Sequence, residues 1–130
     1  MLTRRTMLAA AAASLLPLPA LAMTDMTLAY DPAAFAAAQA SGNAILVEIH
    51  ASWCGTCKAQ KAVLSELLKQ PSYKDVAVFR VDYDGQKDAV KGFGARMQST
   101  LIMFKGKTET ARLVGETDTG VIEGLLKSAI

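Results

Sequence analysis

The sequence predicts an α/β domain, a central mixed β-sheet flanked by helices on both faces. Three observations carry the prediction. Segments of helical periodicity alternate with short apolar runs along the chain. The earlier runs are rich in β-branched residues on consecutive positions, the pattern of strands covered on both faces and joined by right-handed helical crossovers. The last two runs are separated only by a turn around Gly106-Lys107, which makes them antiparallel partners.

Taken in order, Asp31 reads as a cap and Pro32 as the first turn of a helix built from Ala33–Ala40 and stopped by Ser41-Gly42-Asn43. Ala44–Ile49 is a buried-type strand that points straight at the two cysteines. From Cys54 onward Val63, Leu64, Leu67 and Leu68 recur at helical spacing, Lys58, Lys61, Glu66 and Lys69 fall largely opposite them, and Pro71 closes the segment. Val76–Val81 is a second strand, Gln86–Lys91 a short polar helix, Thr100–Phe104 a third strand and Thr110–Val114 its partner. Past Gly115, Asp118 caps a last helix whose Val121, Ile122, Leu125, Leu126 and Ala129 form one apolar stripe. The chain carries no internal repeat and no low-complexity linker.

Residues 1–22 read as a cleavable leader. Arg4 and Arg5 precede an apolar and small run, Met7–Leu16, and Ala20-Leu21-Ala22 ends in a small-residue cleavage pattern. The span from Met7 to Ala22 is 16 residues and holds two prolines, short of the roughly 20 apolar residues that cross a bilayer, so no stable membrane anchor is expected. Thr3-Arg4-Arg5-Thr6-Met7-Leu8 resembles a twin-arginine export signal, although paired arginines also occur in ordinary leaders. Either route places residues 23–130 outside the cytoplasm, in the periplasm, where thiols can be oxidised.

The 14 Lys and Arg against 12 Asp and Glu give a net charge of +2, and Arg4 and Arg5 account for all of it. Without the leader the domain is neutral and has no basic run to neutralise phosphates, which speaks against nucleic acid as a partner. The 108 residues that follow Ala22 are enough for one core without a metal or disulfide framework. Gly92-Phe93-Gly94 lacks the third glycine and the strand-to-helix setting of a dinucleotide loop and reads as a turn. The six methionines read as leader and core residues rather than as a copper site.

The informative feature is Trp53-Cys54-Gly55-Thr56-Cys57-Lys58, which holds both cysteines of the chain at the junction of a strand and a helix. A closed structural zinc site needs four ligands, and the common Cys and His types cannot be completed from two thiols and His50. A structural disulfide closing a loop of about four residues would contribute only about 2 kcal/mol, less than a long-range crosslink. Two inert buried thiols would leave their common position at a helix N-terminus unexplained. That position supplies unpaired N–H groups and the positive end of the helix dipole, both of which favour a sulfur anion. Cys54 is therefore the expected nucleophile, and Cys57, one turn further in and more shielded, the thiol that resolves the mixed disulfide. Glu48, a lone carboxylate in an apolar run six residues before Cys54, is a candidate proton carrier if it is desolvated, or a solvated strand-edge residue if it is not. His50 is a packing residue that could also tune a thiolate or bind a metal.

These residues resemble the thioredoxin family, whose Trp-Cys-Gly-Pro-Cys-Lys site is matched except for Thr56 in place of proline. The strand carrying Glu48, Val81-Asp82, Phe93-Gly94 before Thr100-Leu101-Ile102-Met103-Phe104-Lys105, and Gly115 keep the family's order, from about Ala29 to Ile130. The resemblance implies a thioredoxin-like fold and a thiol–disulfide oxidoreductase acting on protein thiols and disulfides with no bound organic cofactor and no metal. It implies catalytic roles for Cys54, Cys57 and Glu48, and a substrate surface from Trp53, Gly55, Thr56, Ser99 and Thr100. The Gly55-Thr56 pair and the absence of an accessory domain point to a reductase recharged by a membrane electron donor. One departure stands out: Ser99 occupies the family's cis-proline position. A cis bond before a non-proline residue costs about 3–4 kcal/mol, so a trans bond and a rearranged loop are expected. In the family that proline helps bind substrate backbone and keeps metals off the thiolates. Its loss permits an alternative, a carrier in which two chains each lend Cys54 and Cys57 to a metal or an iron–sulfur cluster.

Overall fold

The computed structural model describes residues 27–130, and the leader expected at residues 1–22 lies outside them. The elements are β1 (Thr27–Ala29), α1 (Pro32–Ala40), β2 (Ala44–His50), α2 (Gly55–Leu67), β3 (Ala77–Asp82), α3 (Lys87–Gly92), β4 (Thr100–Lys105), β5 (Thr108–Val114) and α4 (Thr119–Lys127). They form one five-stranded sheet in the order β1-β3-β2-β4-β5. β1, β3 and β2 run parallel, while β4 and β5 are antiparallel to their neighbours, so the sheet is mixed as expected.

Local chemistry sets the helix ends. Asp31 accepts the Ala34 N–H at 2.9 Å, with Pro32 next to it at the position where a missing N–H is harmless. Asp118 accepts the Val121 N–H at 3.0 Å at the start of α4. Pro71 does not end α2, which stops at Leu67; it opens a single 3-10 turn, Pro71–Tyr73, where its fixed φ fits the first position. The turn plants Tyr73 in the core with its hydroxyl donated to Glu123 at 3.0 Å.

β2 is the central strand, and its alternation sorts the core into two layers. Ile45, Val47 and Ile49 face α1 and α3 with Phe35, Phe79, Val81, Val90, Ile102 and Phe104. Leu46 faces α2 and α4 with Leu64, Leu67, Leu101, Met103, Ile122 and Leu126. Both faces are covered, which is why Ala44–Ile49 carries no polar residue except Glu48. Among the described residues no helix is long and apolar enough to cross a membrane.

Candidate active site

β2 ends at His50, and the chain turns through Ala51, Ser52 and Trp53 before entering α2. Parallel β3 lies on one side of that end and β4 on the other, so the α2 N-terminus sits where the strand direction reverses across the sheet. Cys54 is the N-cap of α2, and its sulfur accepts the Cys57 N–H at 3.1 Å. A thiolate at that atom would receive a charge-assisted hydrogen bond and the favourable end of the dipole. Both thiols are free. Cys54 and Cys57 are 4% and 3% exposed, packed with Ala51 and flanked by Tyr83. Burial thus does not separate the two sulfurs, although Cys57 was expected to be the more shielded; their surroundings do. Burial pushes the Cys57 thiol up from its ordinary value, helped by its hydrogen bond with Cys54, while the backbone of Ala51 and Ser99 pulls the other way.

Glu48 is buried on the α2 side of the sheet, in parity with Leu46, and does not lie at a solvated edge. Its register partner on β3 is Arg80, whose Nε and Nη2 reach Oε2 at 3.1 and 3.0 Å. Sequence reasoning missed this guanidinium; only the β2–β3 register brings it there. His50, at the strand end, is half-buried and held below its ordinary value, first by burial and then by Arg80 and Lys61, with Asp82 opposing. It is therefore neutral near pH 7.

Trp53 stands out from the surface at 60% exposure, and its indole N–H donates to Asp84 Oδ2 at 2.7 Å, with Tyr83 edge-on to its ring. Gly55 is exposed and Thr56 half-buried beside it. Ser99 and Thr100 are buried. The Thr100 hydroxyl donates to Met97 O at 2.7 Å, fastening the loop. No cis peptide bond occurs among the described residues, so the Gln98–Ser99 bond is trans, and Ser99 sits at φ +56°. Met97, on the same loop, is 52% exposed, and Val114, paired with Thr100, is 55% exposed. Met97 is thus a surface residue, whereas Met103 joins the core as expected. Met97, Asp84 and buried Gln60, whose side chain meets Ser99, escaped the sequence reading because each acts through a fold contact rather than a motif.

A reduced cysteine pair on the first turn of a helix leaving the central strand of a mixed sheet defines a dithiol exchange domain. Residues 27–128 match the thioredoxin family, and the chain belongs to that family of protein-disulfide oxidoreductases. Among curated relatives it is 38% identical over 84 residues to a thioredoxin of Chlamydia muridarum, covering 65% of this chain and 79% of that protein. It is 35% identical over 81 residues to the H-type thioredoxin of Fagopyrum esculentum, 62% and 68% of the respective lengths. Among solved structures, Trxlp from Edwardsiella tarda superposes with a TM-score of 0.74 at 40% identity, over 77% of this chain and 98% of that one.

Among the described residues, no group of three His, Cys, Asp or Glu side chains is arranged to hold a metal ion. The two-chain carrier would have to draw its remaining ligands from a second copy.

Proposed function

We propose that the protein is an exported reductase of protein disulfides, with Cys54 as the attacking sulfur, Cys57 as the resolving sulfur and Glu48 as the group that takes the Cys57 proton. The observation that carries the assignment is the capping bond from the Cys57 N–H to Cys54 Sγ, which readies one sulfur of the pair for negative charge. The Cys54 thiolate attacks a substrate disulfide; a Cys54–substrate S–S bond forms, and the other substrate sulfur leaves as a thiolate that takes a proton. Cys57 then loses its proton and displaces the second substrate sulfur, leaving the substrate reduced by two electrons and Cys54–Cys57 oxidised.

Trp53 and Gly55 supply the exposed rim that meets the substrate, with half-buried Thr56 beside them and Ser99 and Thr100 shaping the loop behind it. Exposed apolar Met97 and Val114 extend this rim and suit an unfolded or loosely held polypeptide segment. Oxidised protein returns to the dithiol by exchange with a membrane electron donor on the same side of the membrane. Export rests on the leader-like pattern of residues 1–22.

Titration of the purified domain against a glutathione buffer tests the direction. A potential well below the glutathione couple is expected, and one near that of strong protein oxidants would reverse the assignment. Fractionation of cells making the full chain, with N-terminal sequencing, tests export; a mature start at Met23 in the periplasmic fraction is expected, and an intact Met1 in the cytoplasm would contradict it.

A further inference from the structure

Gln60 lies within α2, one turn beyond Cys57, and is 3% exposed. An amide buried so deeply is unfavourable unless its hydrogens are used. Its Nε2 donates to Ser99 O and to Glu116 O, each at 3.0 Å. One side chain thereby ties α2 to the loop before β4 and to the turn before α4.

Ser99 is where such a tie matters. A non-glycine residue at φ +56° carries about 1–2 kcal/mol of backbone strain and persists only where its surroundings fix it. Both ends of the residue are fixed. Its N–H donates to Ile49 O at 2.8 Å, and its carbonyl accepts the Gly115 N–H at 2.9 Å as well as the Gln60 amide. The N–H is the consequential group, because Cys57 Sγ lies 4.0 Å from the same Ile49 oxygen. The inner sulfur and the Ser99 amide converge on one carbonyl, and that amide is a donor that a proline at this position would lack.

We propose that Gln60 is a positioning residue for the resolving step: by clamping Ser99 in its left-handed conformation it keeps the Ser99 N–H beside Cys57, where Ile49 O and the sulfur anion can share it as that anion forms. The inference rests on the reading of Cys54 as attacking and Cys57 as resolving sulfur. In the step served, the Cys57 proton leaves, the Cys57–Cys54 S–S bond forms, the Cys54–substrate S–S bond breaks, and the electron pair departs on the substrate thiolate. The backbone of Ser99 already acts against the burial that pushes the Cys57 thiol up.

The test is stopped-flow reaction of the reduced protein with a limiting amount of 5,5′-dithiobis(2-nitrobenzoic acid). Attack by Cys54 releases one coloured thiolate in a bimolecular phase, and displacement by Cys57 releases the second in a unimolecular phase. In Gln60→Met, which keeps the bulk and removes both donors, the unimolecular phase is expected to slow about tenfold near neutrality, and its pH midpoint to rise by about one unit. The bimolecular phase serves as the internal reference and is expected to change by less than about twofold on the same scale. A folded variant whose second phase keeps its rate and pH midpoint overturns the proposal, as does equal slowing of both phases, which would mark general loosening. Absence of a first phase in the wild-type protein would instead overturn the underlying assignment of Cys54. If the variant unfolds in plain buffer, both proteins are compared in the same concentration of sucrose, which favours the compact state, with the same criteria.

Discussion

Replacing Arg80 with methionine probes what keeps a carboxylate inside the sheet. The Glu48 side chain is 9% exposed, and the Arg80 guanidinium meets it through two nitrogens at 3.0 and 3.1 Å. Removing one partner of a fully buried ion pair costs about 3–5 kcal/mol. The Arg80 side chain retains 25% exposure, so water screens part of the interaction and the expected loss falls to about 2–3 kcal/mol. For a domain of this size that corresponds to roughly 8–15 °C in Tm. Thermal melts followed by circular dichroism at pH 7 and low salt read the change directly. The double variant Glu48→Gln/Arg80→Met carries no buried charge at this place and is expected to recover most of the loss. A single variant melting within about 2 °C of wild type, or a double variant less stable than the single one, would refute the view that the pair is a coupled, desolvated unit.

Asp118→Ala removes the α4 cap and is expected to lower stability by about 1 kcal/mol in a urea titration while leaving disulfide exchange unchanged. Asp84→Leu releases the indole of the chain's single tryptophan, so its emission should shift and KM for protein disulfides rise about threefold to tenfold with kcat kept. Because Cys57 is raised above its ordinary value near 9.0, the folded dithiol form holds that proton more tightly than the unfolded chain does. Its contribution to stability is fully present below the ordinary thiol range and is lost as pH rises through the folded value. Urea midpoints of the reduced protein should fall faster above about pH 9 than those of the oxidised protein, and reduced Cys57→Ser, which has no inner thiol to titrate, should lack this extra fall.

The fold and the dithiol were legible because both are local signals. Apolar runs bounded by turn residues marked β2, β3 and β4, Asp31 and Asp118 marked helix starts, and the spacing of Cys54 and Cys57 on a helix's first turn fixed the chemistry. β1 escaped because Thr27–Ala29 is three residues long and largely exposed; it is a strand only through its pairing with Val78–Arg80. The missed parts of the site share that cause. Arg80 reaches Glu48 across 32 residues of sequence, Gln60 reaches Ser99 across 39, and Trp53 reaches Asp84 across 31. A glutamine on an otherwise amphipathic helix carries no periodic signal that its amide will be buried and doubly used. Ser99 was different: its departure from proline was visible, while the left-handed backbone it adopts was not.

In the proposed mechanism the opening of α2 makes Cys54, and not Cys57, the reactive sulfur. Limiting iodoacetamide at pH 7, quenched over time and mapped by peptide mass, measures both cysteines in one experiment. Carbamidomethylation of Cys54 at least about tenfold faster than that of Cys57 is the predicted result. Equal, slow labelling of the two would contradict the account.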